Sequence, residues 1–85
     1  MKEFTYKITD SAGLHARPAG LLSKVAGEFQ SEVIVAVGDK ETNASRIFGL
    51  MGLEAKCGDE LIVRITGADE DNAAAIIEIF MKDNL

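Results

Sequence analysis

Hydrophobic and polar residues alternate at the start of the chain, with Phe4, Tyr6 and Ile8 on one side and Thr5, Lys7 and Thr9 on the other. A period of two predicts a half-buried strand. The run "DSAGL" breaks that period, and Gly13 is free to take a positive φ there. From Pro18 the period lengthens. Pro18, Leu21, Leu22, Val25, Ala26 and Phe29 fall at helical spacing and form one apolar face. Proline lacks the N–H that later helical positions must donate, so the helix begins at about Ala16 or Arg17. His15 then lies at or beside the N-cap, and Gly27 marks fraying toward the far end.

The stretch "SEVIVAVGDKETNA" predicts a hairpin. Val33, Val35 and Val37 share a face, Gly38-Asp39 supplies turn chemistry, and residues 40–44 form a short polar edge strand. In "SRIFGLMGLEAKCGDE" Ser45 is the candidate N-cap of a helix of one or two turns, kept short by Gly49 and Gly52. Phe48, Leu50 and Met51 cannot all point inward on so short an element, so an exposed apolar patch is expected. Ile47 and Leu53 are expected in the core. "ELIVRITG" alternates again, Leu61, Val63 and Ile65 facing one way, Ile62 and Arg64 the other. In the closing segment Asp69, Glu70 and Asp71 load the first helical turn and Lys82 sits near the end, as the helix dipole favours. Ala73, Ile76, Ile77, Phe80 and Met81 form its predicted buried stripe. The order β-α-β-β-α-β-α, with one hairpin, predicts an α+β fold with a mostly antiparallel sheet and its helices on one face. No repeat, linker or low-complexity segment divides the chain, so residues 1–85 are read as one domain.

Composition narrows the partners. The net charge of −5 argues against nucleic acid and anionic lipid as general partners. No apolar run reaches signal-peptide or membrane-span length. The single cysteine, Cys57, has no internal disulfide partner, which suits a reducing compartment. A soluble cytoplasmic protein is expected.

The chemistry concentrates in "AGLHARPAG", residues 12–20, which holds the only histidine and the only proline. A helix start presents unpaired N–H groups and about half an elementary charge, a ready site for an anion. Arg17 adds a guanidinium fork that matches phosphate oxygens. Two chemistries fit these parts. The neutral imidazole of His15 can attack a phosphoryl group and carry it covalently. Alternatively it binds an anion or serves as a general base. A base needs a substrate pocket, and no serine, cysteine or carboxylate constellation accompanies His15 in the sequence. The carrier chemistry therefore explains more of the stretch. Neither metal nor cofactor is expected.

"GLHARPAG" followed by "SRIFGLMGL" and "GADEDNA" resembles HPr, the histidine-containing phosphocarrier family of the bacterial sugar phosphotransferase system, over essentially the whole chain. The resemblance implies an open-faced β-sandwich: a four-stranded antiparallel sheet with three helices on one face. It implies phosphorylation of His15 on Nδ1 by enzyme I, using phosphoenolpyruvate, and delivery to the A domains of enzyme II proteins. Arg17 would support the phosphoryl group, and the backbone N–H groups of Ala16 and Arg17 would face it. Leu14, Pro18, Phe48 and Met51 would form the docking surface. The chain would be a covalent substrate and donor rather than a self-sufficient enzyme, and a monomer, because transient docking needs an open surface. A serine kinase and transcription regulators are further partners the resemblance suggests. Two alternatives stay open: a regulatory partner-binding module, and a carrier in nitrogen-related phosphotransfer.

The chain also departs from the family pattern. Arg46 holds the place of the family's regulatory serine, and Ser45 lies one step earlier, about 100° away around a helix. Phosphorylation of Ser45 competes with simple helix capping as its role. Ala12 stands where serine or asparagine is frequent, and Glu54 where glycine is usual.

Overall fold

The structure, a computed structural model, describes residues 1–85. The chain runs β1 (Lys2–Lys7), α1 (Ala16–Gly27), β2 (Ser31–Val37), β3 (Lys40–Asn43), α2 (Ile47–Gly52), β4 (Glu60–Gly67) and α3 (Glu70–Asn84). The strands form one sheet in the order β1-β4-β2-β3, every neighbouring pair antiparallel. The expected α+β open-faced architecture is what the chain adopts.

The period-two pattern sets the two faces of the sheet. Val33 lies opposite Ile65, Val35 opposite Val63, and Tyr6 opposite Leu61. Val33, Val35, Leu61, Val63 and Ile65 are buried beneath Leu22 and Ala26 of α1 and Ala73, Ile77 and Met81 of α3, in one cluster of 18 buried residues. Each large aliphatic side chain so buried is worth about 1.5–3 kcal/mol. On the open face Arg64 pairs with Glu3 at 3.3 Å and Glu41 at 3.5 Å, linking the central strand β4 to both edges.

The polar strand expected over 40–44 is an edge strand, shorter by one residue, although the Ala44 N–H still reaches the Val33 carbonyl at 2.8 Å. Two predicted stripes are too wide. Leu21 on α1 and Ile76 on α3 are each 42% exposed, because the helices touch the sheet along narrower lines than their apolar faces. The N-cap of α2 is Arg46, not Ser45. Both the N–H and the hydroxyl of Ser45 donate to Asn43 Oδ1, at 2.9 and 2.8 Å, so its oxygen is turned toward β3 and away from the helix. Gly49 lets α2 lie down there: a Cβ at this position would come within 2.1 Å of Thr42 Oγ1.

Candidate functional site

The backbone before α1 is fixed from three directions. Gly13 has φ +67, and a Cβ there would lie 2.4 Å from the Ala55 carbonyl oxygen and 2.8 Å from Lys56 Cα. Leu14 donates its N–H to the same carbonyl at 2.9 Å and buries its side chain, leaving 4% exposed. Pro18, buried in the first turn of α1, sets φ where no donor is required. Between these anchors His15 is the N-cap of α1, in an extended conformation with φ −91 and ψ −174.

The consequence for its ring is specific. The His15 carbonyl accepts the Ala19 N–H at 3.0 Å, while its side chain makes no capping hydrogen bond. The imidazole is exposed. In the first turn Pro18 has no N–H, and the N–H groups of Ala16 and Arg17 have no acceptor in the protein. Arg17 is exposed as well. The ion pairs join Met1 to Glu70, Lys2 to Asp71, Lys40 to Glu54, and Arg64 to Glu3 and Glu41, and none of them engages Arg17. The guanidinium, the ring and the positive helix start are thus uncommitted and meet at one cleft of about 330 Å³.

That cleft is lined by Asp10, His15, Arg17, Pro18, Leu21, Asp83 and Asn84. The last turn of α3 is therefore its far wall. Asp10, Leu21, Asp83 and Asn84 were not singled out as site residues from sequence. In the sequence Asp10 only opens the run that breaks the strand period; in the structure its Oδ1 accepts the Ala12 N–H at 2.8 Å. Asp83 carried one faint signal, a negative charge at a helix C-terminus, where the dipole disfavours it.

Of the expected docking residues, Phe48 is 82% exposed and Met51 is 37% exposed, both on α2. Leu50 between them is fully buried, which resolves which apolar side chain the short helix turns inward. Leu53 is core, and Ile47 is half-buried. Leu14 is corrected: its side chain belongs to the hydrophobic core and offers no docking surface. Pro18 is likewise mostly buried and meets solvent only as part of the cleft wall. Glu54, just past α2, has φ +54 and pairs with Lys40 at 3.1 Å. An exposed pair of this kind contributes about 0–1 kcal/mol. The left-handed conformation costs a non-glycine residue about 1–2 kcal/mol. Glycine would relieve that strain.

No group of three or more His, Cys, Asp or Glu side chains is arranged to hold a metal ion. No helix is long and apolar enough to cross a membrane. Cys57 is exposed, with Sγ 3.7 Å from the Thr9 carbonyl.

The family model described as the PTS HPr component phosphorylation site matches residues 2–83. The phosphocarrier protein HPr of Mycoplasma capricolum is 37% identical over 98% of this chain and 93% of its own length. That of Mycoplasma genitalium is 39% identical over 99% and 97%. A solved histidine-containing phosphocarrier protein, used to trace the divergence of Mycoplasma from Gram-positive bacteria, superposes with a TM-score of 0.94 at 36% identity, covering 96% of this chain and 93% of that one. With an uncommitted imidazole at a helix start and this similarity along nearly its whole length, the chain belongs to the HPr family of phosphotransferase-system phosphocarriers.

Proposed function

We propose that His15 accepts a phosphoryl group from enzyme I and passes it to the A domains of enzyme II proteins during sugar uptake. One observation carries the assignment of the residue: the only imidazole of the chain is exposed, makes no capping bond, and stands beside an unpaired guanidinium and the open N–H groups of Ala16 and Arg17.

The lone pair of a ring nitrogen, Nδ1 by family resemblance, attacks phosphorus. The bond from phosphorus to the donor breaks, and its electron pair leaves with the donor. Negative charge spreads over the phosphoryl oxygens during transfer. Arg17 and the helix-start N–H groups are donors already in place for it, so little reorganisation accompanies the step. Transfer onward repeats the displacement in reverse, the electron pair of the P–N bond returning to the ring. Phe48 and Met51 form the apolar part of the surface on which both partners dock in turn, and the chain acts as a monomer.

Incubation with enzyme I and phosphoenolpyruvate tests this. The expected product is an acid-labile, base-stable mass gain of one phosphoryl group at His15, absent in His15→Ala. An unlabelled wild-type chain overturns the proposal.

A further inference from the structure

The cleft in front of His15 holds two carboxylates that the transfer chemistry above does not use, those of Asp10 and Asp83. Neither takes part in an ion pair. Asp10 is held in place, while Asp83 is carried on α3 with its side chain exposed. Asp10 Oδ1 accepts the Ala12 N–H, and the backbone N–H groups of Thr9 and Asp10 donate to the Leu85 carbonyl at 2.6 and 2.7 Å. The loop carrying Asp10 is thereby stapled to the end of α3, and Asp83 lies in the last turn of that helix. A negative charge there opposes the helix dipole, so helix stability does not account for it.

The charge balance of the cleft is then unusual for an anion cradle. Arg17 supplies one positive charge and the α1 start about half of one, against the two carboxylates. A phosphoryl dianion on His15 adds to the negative side. The geometry points to Asp10 and Asp83 as positioning residues that repel the phosphoryl group on His15, keeping it at the cleft mouth and raising its tendency to leave. This rests on His15 being the carrier residue. The carboxylates act on the phosphohistidine rather than on the bare ring. In spontaneous loss, a water oxygen attacks phosphorus and the P–N bond breaks. The electron pair returns to the ring nitrogen, which takes up a proton, and inorganic phosphate departs. The walls repel the phosphoryl dianion while it is held on the ring, and that repulsion is relieved as the P–N bond lengthens and the group moves away from the carboxylates.

The test uses the full chain phosphorylated by enzyme I and phosphoenolpyruvate, repurified, and followed for loss of label at neutral pH. Asp10→Asn keeps an oxygen to accept the Ala12 N–H, and Asp83→Asn is a surface change, so both should fold. Each should slow the loss about twofold to fivefold, and the double variant more. Added salt should slow loss from the wild type more than from the double variant, because the carboxylate repulsion it screens is present only in the wild type. Asp39→Asn, in the β2–β3 turn, should match the wild type. Unchanged or faster loss in a folded double variant, with unchanged salt dependence, overturns the role of the carboxylates and leaves His15 as carrier. Failure of the wild type to take label at all overturns both.

Discussion

Leu14 donates its N–H to the Ala55 carbonyl at 2.9 Å, so the residue before His15 hangs from the loop that follows α2. Gly13 makes that approach possible, since any Cβ would strike the same carbonyl. Gly13→Ala should therefore cost about 2–4 kcal/mol, the sum of left-handed strain and overpacking. It should also lower phosphoryl acceptance in the fraction that stays folded. Chemical denaturation and enzyme I labelling measure the two effects. A variant of wild-type stability would show that the loop yields freely.

Arg17 is exposed and in no ion pair, so its removal should spare the fold. Arg17→Ala should stay within about 0.5 kcal/mol of wild-type stability. Transfer should slow roughly tenfold to a hundredfold, the worth of a lost charged hydrogen bond. Stopped-flow or quench kinetics with enzyme I would check this, and an unchanged rate would remove Arg17 from the chemistry.

Phe48, at 82% exposure, gives little to the fold and is available to a partner. Phe48→Ala should weaken docking by about 1–2 kcal/mol while the melting temperature barely moves. Titration calorimetry against enzyme I reads the first quantity and thermal denaturation the second. A stability loss larger than the binding loss would contradict the assignment.

The carboxylate of Asp69, at the N-cap of α3, reaches away from its own helix to the hydroxyl of Ser31 and the N–H of Gln30. The Ser31 hydroxyl foremost, and then the Gln30 N–H, hold Asp69 below its ordinary pKa of 3.8. Glu70 is lowered similarly, first by the amino group of Met1 and then by the Gly67 N–H. A depressed carboxylate stabilises the fold above its unfolded pKa, and that contribution is lost as pH falls through the folded value. Stability should thus decline on acidification below about pH 4. Asp69→Asn should be less stable at neutral pH and show a shallower acid decline. Urea titrations at several pH values would detect both, and parallel curves for the two proteins would contradict the linkage.

Much of the architecture was legible because burial repeats with the geometry of the element. Period two in β1, β2 and β4 and helical spacing in α1 and α3 name the elements without any partner. Pro18 alone dates the start of α1, and so places His15 at its N-cap, because a proline ring excludes a later position. What spacing leaves undecided is depth. The apolar faces of α1 and α3 include Leu21 and Ile76, which the sheet does not reach, and Leu14 is sealed into the core by a contact 41 residues away in the chain, with Ala55. Ser45 looked like a cap from its residue type, yet the nearby Asn43 offered its hydroxyl a better acceptor.

The sequence by itself determined the local conformations and the one segment where an imidazole, a guanidinium and a helix start coincide, since these depend on neighbours within a turn or two. Tertiary structure alone decided which side chains face the cleft. Asp10 and Asp83 lie at opposite ends of the chain, and the packing of α3 against β1, with the hydrogen bonds from Thr9 and Asp10 to Leu85, brings them to the same cleft. Contacts of such separation depend on how whole layers pack, which no short-range pattern records.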